Sequence, residues 1–212
     1  MLTPHRQAVV DAAGISLELA ARPEVAAAWE SESSCAGMSV GGLAHHLVRQ
    51  VVVVAELLDA EPGSSHIPLL DHYERAAWVK GGHDDPANVG VRTRSDEQAA
   101  VGAEAVLAEA RATLDRLPAL LAAPRDPDAV LIPWQGWSLA TDDFLTTRLM
   151  ELVVHSDDLA ASVDLPTPEF PEPALTPVLG LLSGVAVRRH GQAAVVRALS
   201  RPQRAPEHVS AF

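Results

Sequence analysis

Arg148-Leu149-Met150-Glu151-Leu152-Val153-Val154-His155-Ser156-Asp157-Asp158-Leu159 is the stretch whose reading decides the fold. Arg148, Glu151, His155 and Asp158 follow one another at steps of three, four and three. At about 3.6 residues per turn these steps place all four on one side of a helix. Thr141-Asp142-Asp143 marks the start of that helix. Leu145, Leu149, Leu152 and Leu159 form its apolar arc, and the polar stripe adjoins that arc. Asp143, Thr146 and Asp157 are expected on the solvated back. Glu151 and His155, four apart, can reach one point beside the helix. An inward Glu and His need partners, and a metal ion shared between them is an economical one.

A second helix answers the first. Ser39 is a good N-cap, and the helix is expected to run from there to about Ala60, stopping at Glu61-Pro62-Gly63. Leu43, Leu47, Gln50, Val51, Val54, Leu57 and Leu58 make its apolar face, with His46 at the edge pointing inward. His45, Arg49, Glu56 and Asp59 are expected on the solvated side.

The rest of the chain is read around these two helices. Thr3-Pro4 opens a first helix to about residue 21. Pro23 breaks it, and Glu24–Glu30 adds a short helix carrying Trp29. Ser31–Gly37 is expected as a polar loop holding Cys35, which reads as structural or idle. Leu69–Lys80 is a short helix. Gly81–Asn88 is expected as a loop, where His83, Asp84 and Asp85 lack a regular element to fix them. Ser95 with Gln98 three later fits a capping box and predicts a third long helix to about Leu121, interrupted or ended near Pro118. Ala129–Trp137 is extended, with Trp134 and Trp137 expected to cap one end of the bundle. Asp164–Pro177 is a proline-rich connector. A last helix, about Leu175–Leu199, carries Arg188, Arg189 and Arg197, and an irregular tail follows.

Composition narrows the function classes. A chain of 212 residues suits one domain or one domain plus an appendage. Hydrophobic residues make up 48% and aromatics 4%, which points to an alanine- and leucine-rich helical core. A net charge of −12 argues against nucleic acid or an anionic membrane as partner. The single cysteine excludes an internal disulfide. The first residues lack a signal-peptide core and no run is long enough to span a bilayer, so a cytoplasmic location is expected.

Ser39-Val40-Gly41-Gly42-Leu43-Ala44-His45-His46-Leu47 resembles the DinB-like segment that carries a first metal histidine on the second bundle helix. Arg148 to Ala160 is similar to the signature of the mycothiol-dependent maleylpyruvate isomerase family. The resemblance covers roughly Leu2 to Val163. It implies an all-α fold, a DinB-like four-helix bundle over 1–165, with 166–212 as connector, C-terminal helix and tail. It implies a divalent metal, zinc by expectation, held by His46, Glu151 and His155. It also implies mycothiol as cofactor: a thiol activated at the metal would attack a small electrophile. Addition followed by elimination isomerises a double bond, and addition alone is S-transfer. Arg148 would steer a substrate carboxylate or pair with Glu151, the salt bridge being the favoured expectation. Asp158 would make an outer contact to a ligand or to the cofactor. Met38 stands where the family usually has Trp, and a change of packing alone is expected. The isomerase's second α/β domain, with its substrate-binding arginine, has no counterpart in the last forty or so residues. A non-catalytic metal-binding interaction or regulatory protein, and a hydrolase using zinc-bound water, stay open. So does the choice between monomer and homodimer.

Overall fold

The computed structural model describes residues 1–212. Its helices are α1 (Pro4–Ala20), α2 (Pro23–Ala27), α3 (Val40–Asp59), α4 (Leu69–Arg75), α5 (Ala77–Lys80), α6 (Pro86–Ala99) and α7 (Ala103–Ala122). A hairpin of β1 (Ala129–Ile132) and β2 (Trp137–Ala140) leads into α8 (Thr141–Ser162), α9 (Glu172–His190) and α10 (Gln192–Ser200). The fold is all-α, as expected, with a bundle formed by α1, α3, α7 and α8. α6 packs on α3, and α9 lies against α8 and α1. Ala174, Val178, Leu181 and Val185 of α9 join the same apolar core as the bundle. No helix is long and apolar enough to cross a membrane.

The local start signals act as the sequence predicts. Thr3 Oγ1 accepts from Arg6 N–H, with Pro4 in the first turn of α1. Ser39 Oγ accepts from Gly42 N–H at the head of α3. α3 is the centre of the molecule. Val48, Val52 and Val53 are buried as well as the predicted apolar face. Only Glu56 and Asp59 of the supposed solvated side are exposed, while His45 and Arg49 are half-buried. The physical reason is that α3 has helices on several sides, so it has almost no back. Gly41 permits this crowding: a Cβ there would stand 2.6 Å from the Trp29 ring. Trp29 in turn donates from Nε1 to the Ala99 carbonyl at 3.1 Å, tying α6 to the same spot.

Several expected boundaries move. The stretch 81–88 is not all loop: Asp85 accepts from Ala87 N–H and starts α6 at Pro86. Ser95 is therefore buried inside a helix, not a cap, and α7 starts after Gly102, whose φ is +91°. Asp96 is drawn away to accept from Ser39 N–H and Oγ–H, at 3.0 and 2.6 Å. Pro118 lies inside α7 without interrupting it, and the helix ends at Ala122, close to the expected Leu121. The last helix begins at Glu172 and is split at Gly191, φ +85°, into α9 and α10. Thr146 is buried rather than solvated, bonded to the Asp142 carbonyl.

The segment from 129 is extended, as predicted, and pairs with 137–140 in an antiparallel register from Ala129↔Ala140 to Ile132↔Trp137. The two tryptophans separate. Trp134, at the turn, is 60% exposed and caps nothing. Trp137 faces inward and donates from Nε1 to His72 Nδ1 at 3.0 Å. Met38 is buried in the core, consistent with a packing role. The tail is irregular but docked: His190 Nε2–H donates to the Ser210 carbonyl at 2.8 Å. The Phe212 ring lies 5.7 Å from Tyr73 and 5.0 Å from Trp78.

Candidate metal centre

Helix periodicity places Glu151 and His155 one turn apart on α8, and His46 reaches them from α3. His46 Nε2 lies 3.3 Å and His155 Nε2 3.2 Å from the same oxygen, Glu151 Oε2. The two imidazole rings stand edge to face, 4.8 Å between centroids. All three ligand atoms fall within 4.8 Å of one another. Zinc bonds of about 2.0–2.1 Å at tetrahedral angles give ligand–ligand edges of about 3.3 Å. The two edges to Glu151 Oε2 already have that length. Two imidazoles and one carboxylate are also the donor set that suits a borderline divalent ion. The side chains keep 13–23% exposure, so the cluster is not wholly sealed from solvent.

The surroundings set the charge states. Burial alone would raise the Glu151 carboxyl, but hydrogen bonds from His155 and His46, with the charges of His155 and Arg148, hold it well below the usual carboxylate range. Burial depresses His46. It acts on His155 too, yet there contacts to Asp158, Cys35 and Glu151 win and raise it well above an ordinary histidine. Asp158 Oδ2 sits 2.9 Å from His155 Nδ1. That bond holds the proton on Nδ1, while Nε2 faces Glu151 Oε2 as a donor and would become a ligand on giving up its proton to a metal ion, the arrangement a metal-binding histidine uses.

Arg148 does not form the expected salt bridge with Glu151. Its Nη1 donates to Gln50 Oε1 at 2.6 Å and its Nε to Thr147 Oγ1 at 2.9 Å. The guanidinium also lies 5.7 Å from the Phe144 ring centre. Gln50, read from sequence as part of an apolar face, is thus the residue that clamps Arg148. Its own Nε2 donates back to the His46 carbonyl at 2.9 Å. Spacing could have flagged it, since Gln50 is four residues from His46 on the same face.

Two more placements differ from the sequence reading. Cys35 is not remote: its sulfur, a His155 nitrogen and an Asp158 oxygen lie within 4.8 Å of one another. The loop is pinned there by Ser34, whose Oγ–H donates to the Asp158 carbonyl at 2.7 Å and whose N–H donates to Ser162 Oγ at 2.9 Å. His45 is half-buried, with Nδ1 sealed and unpaired. Burial, then the nearby charges of His46 and Arg49, pulls it down to about 4. His83, beside Asp84, instead caps the carbonyl of Ala36 at 2.9 Å, far from the trio in role.

The sequence pattern of the mycothiol maleylpyruvate isomerase N-terminal domain matches residues 10–160. No curated protein and no solved structure shows significant similarity to the chain. The matched span includes α3 and nearly all of α8, and with them His46, Glu151 and His155. The chain belongs to the family defined by the mycothiol maleylpyruvate isomerase N-terminal domain.

Proposed function

We propose that this chain is a metal- and mycothiol-dependent enzyme, an S-transferase or isomerase that adds a thiol to an electrophilic small molecule in the cytoplasm. The observation that carries the reading is the convergence of His46 Nε2, His155 Nε2 and Glu151 Oε2 on one partly open point. Family membership supplies the thiol. His46, Glu151 and His155 would hold the ion. A divalent ion there, zinc by its donor set, would lower the pKa of a thiol that reaches the open position and make it nucleophilic near neutral pH. The chain's own residues do the rest. Asp158 keeps the His155 proton on Nδ1 and so keeps Nε2 a ligand. Glu151 contributes the one negative charge among the three. Arg148, held by Gln50 and Thr147 and paired with no carboxylate, leaves a cation one turn from Glu151 for an electron-rich group of the substrate.

Metal analysis of purified protein tests the first half of the reading, with about one zinc per chain expected. His46→Ala should lose most of that metal. His45→Ala should retain it, since His45 belongs to neither group of converging ligand atoms. Mycothiol titration with a conjugated enone or cis-dienoic acid tests the second half. Turnover should require the added thiol and survive Cys35→Ser. Full turnover without thiol points to a zinc-water hydrolase instead. Bound metal with neither thiol nor substrate binding points to an interaction protein.

A further inference from the structure

Gln50 is a polar residue in an apolar place. It shares the inner face of α3 with Leu43, Leu47, Val51 and Val54 and is 4% exposed. Its two amide atoms face different partners. Oε1 accepts from Arg148 Nη1 at 2.6 Å, and Nε2 donates to the His46 carbonyl at 2.9 Å. A guanidinium can only donate, so Arg148 dictates which end of the amide is which. The same Nε2 stands 3.5 Å from His46 Nε2, the atom that faces Glu151 Oε2. The amide therefore bridges the centre and the guanidinium. With standard amide dimensions it puts Arg148 Nη1 within about 8.5 Å of His46 Nε2.

The other partners of the guanidinium are neutral too. Arg148 Nε donates to Thr147 Oγ1 at 2.9 Å. Thr147 is fully buried and donates in turn to the Phe144 carbonyl at 2.6 Å. The Phe144 ring centre lies 5.7 Å from the guanidinium carbon. Arg148 is half-buried, yet it forms no ion pair, because Glu151 Oε2 is taken by the two histidines. Nη2 carries no hydrogen bond from the chain. A glutamate at position 50 would give the cation a stronger partner, since a partly desolvated charge is best met by an opposite one. The chain has an amide there instead. That amide fixes the guanidinium and leaves its charge uncompensated.

We propose that Gln50 is a positioning residue whose neutral amide holds Arg148 beside the His46–Glu151–His155 centre with its charge free for an anionic group of the electrophile. The assignment rests on the thiol-addition reading and deepens it. Nη2 and the second hydrogen of Nη1 form one fork, the geometry that receives the two oxygens of a planar anion. Arg148 then sets a preference for anionic over neutral electrophiles, and the residue at position 50 sets whether that preference exists. By bonding the His46 carbonyl, the same amide ties the cation to the backbone that carries a donor of the centre. The distance between cation and centre is thus set by one side chain and not by the flexible length of an arginine.

The test reads binding before turnover. Succinate, which has no double bond to attack, is titrated calorimetrically into the full chain, metal-stripped and zinc-loaded, with neutral succinamide as control. Succinate is expected to bind in both states and succinamide about tenfold or more weaker, the scale of hydrogen bonds to a charged group. Arg148→Gln should abolish that difference, and Arg148→Lys, a point charge without the fork, should keep part of it. Gln50→Glu is the deciding variant. It keeps an acceptor for Arg148 but neutralises it, so succinate affinity should fall about tenfold or more in protein that still folds and holds zinc. An amide that only braced the bundle would tolerate glutamate, so unchanged succinate binding in Gln50→Glu overturns the proposal. Gln50→Met, which keeps the volume and removes the acceptor, decides the matter where Gln50→Glu does not fold: full succinate affinity there overturns it as well. In turnover, Gln50→Glu should raise KM for an unsaturated acid and leave KM for its neutral amide in place. No succinate binding by the unaltered chain, or binding that Arg148→Gln leaves intact, also sinks the assignment. Succinate binding that depends on Arg148 and Gln50, in a protein whose turnover needs no thiol, keeps it and sinks the thiol reading instead.

Discussion

Asp158→Ala isolates the outer support of the centre. The side chain touches no converging ligand atom of the trio; it holds only the Nδ1 proton of His155, at 2.9 Å. Without it the imidazole can take the other tautomer, rotate, and lose the fixed aim of Nε2 toward Glu151. Outer partners of this kind are worth about 10- to 100-fold in metal affinity, or about 1.4–2.8 kcal/mol. Asp158→Asn keeps an acceptor oxygen and loses the charge, so it should fall at the lower end of that range. The loop carrying Cys35 should stay in place in both variants, because Ser34 and Ser162 bond to the Asp158 backbone carbonyl rather than its carboxylate. Asp158 also helps to raise the His155 imidazole, so its removal should lower the melting temperature of the metal-free protein at neutral pH as well. Zinc affinity is read by competition with a chromogenic chelator at neutral pH. An Asp158→Ala protein that holds zinc as tightly as the unaltered chain refutes the claim that this bond positions the ligand.

Two further outcomes follow from packing and titration. Gly41→Ala drives a methyl group to 2.6 Å from the Trp29 ring and should cost about 1–3 kcal/mol, seen as a lower denaturant midpoint at unchanged slope. The metal-free protein should lose stability as pH falls. His72 is pulled from about 6.5 in the unfolded chain to about 4 in the folded one, so the unfolded state takes up the proton first. Its contribution is fully present above about 6.5 and disappears as pH drops through about 4, up to about 3 kcal/mol, with a smaller share from His45. Chemical denaturation across that range should show a shallower slope in His72→Gln; an unchanged slope contradicts the assignment.

The parts legible from sequence are those set by local periodicity. A single helix repeat brought Glu151, His155 and Asp158 to one side of α8, and the wheel of α3 turned His46 toward them. The caps at Thr3 and Ser39 and the extended run at 129 depend on neighbouring residues alone, so they too could be read. What escaped depends on contacts between distant segments. Ser95 has the spacing of a cap, but tertiary packing takes Asp96 to Ser39 and absorbs Ser95 into α6. Arg148 has Glu151 three residues away, yet Gln50 of another helix offers it a shorter bond. His45 is on the back of an ideal amphipathic helix, and α3 has no such back. Cys35 is brought to His155 by Ser34, across 124 residues of chain, through a hydrogen bond no spacing rule encodes.

The central position of α3 has a consequence for how the centre fails. Its backbone amides lie in the middle of the core, where hydrogen exchange proceeds by opening of the whole domain rather than by local fraying. His46 is a residue of that helix, and Glu151 and His155 belong to a helix packed directly on it. The three donors therefore sit on the slowest-opening unit of the protein, not on a loop that breathes independently. An ion bound between α3 and α8 would join residues 105 apart in sequence, and would add to the stability of that whole unit by mass action. Depleting the ion should quicken exchange across the bundle at once, and mild destabilisation far from the centre should release the ion without touching any ligand.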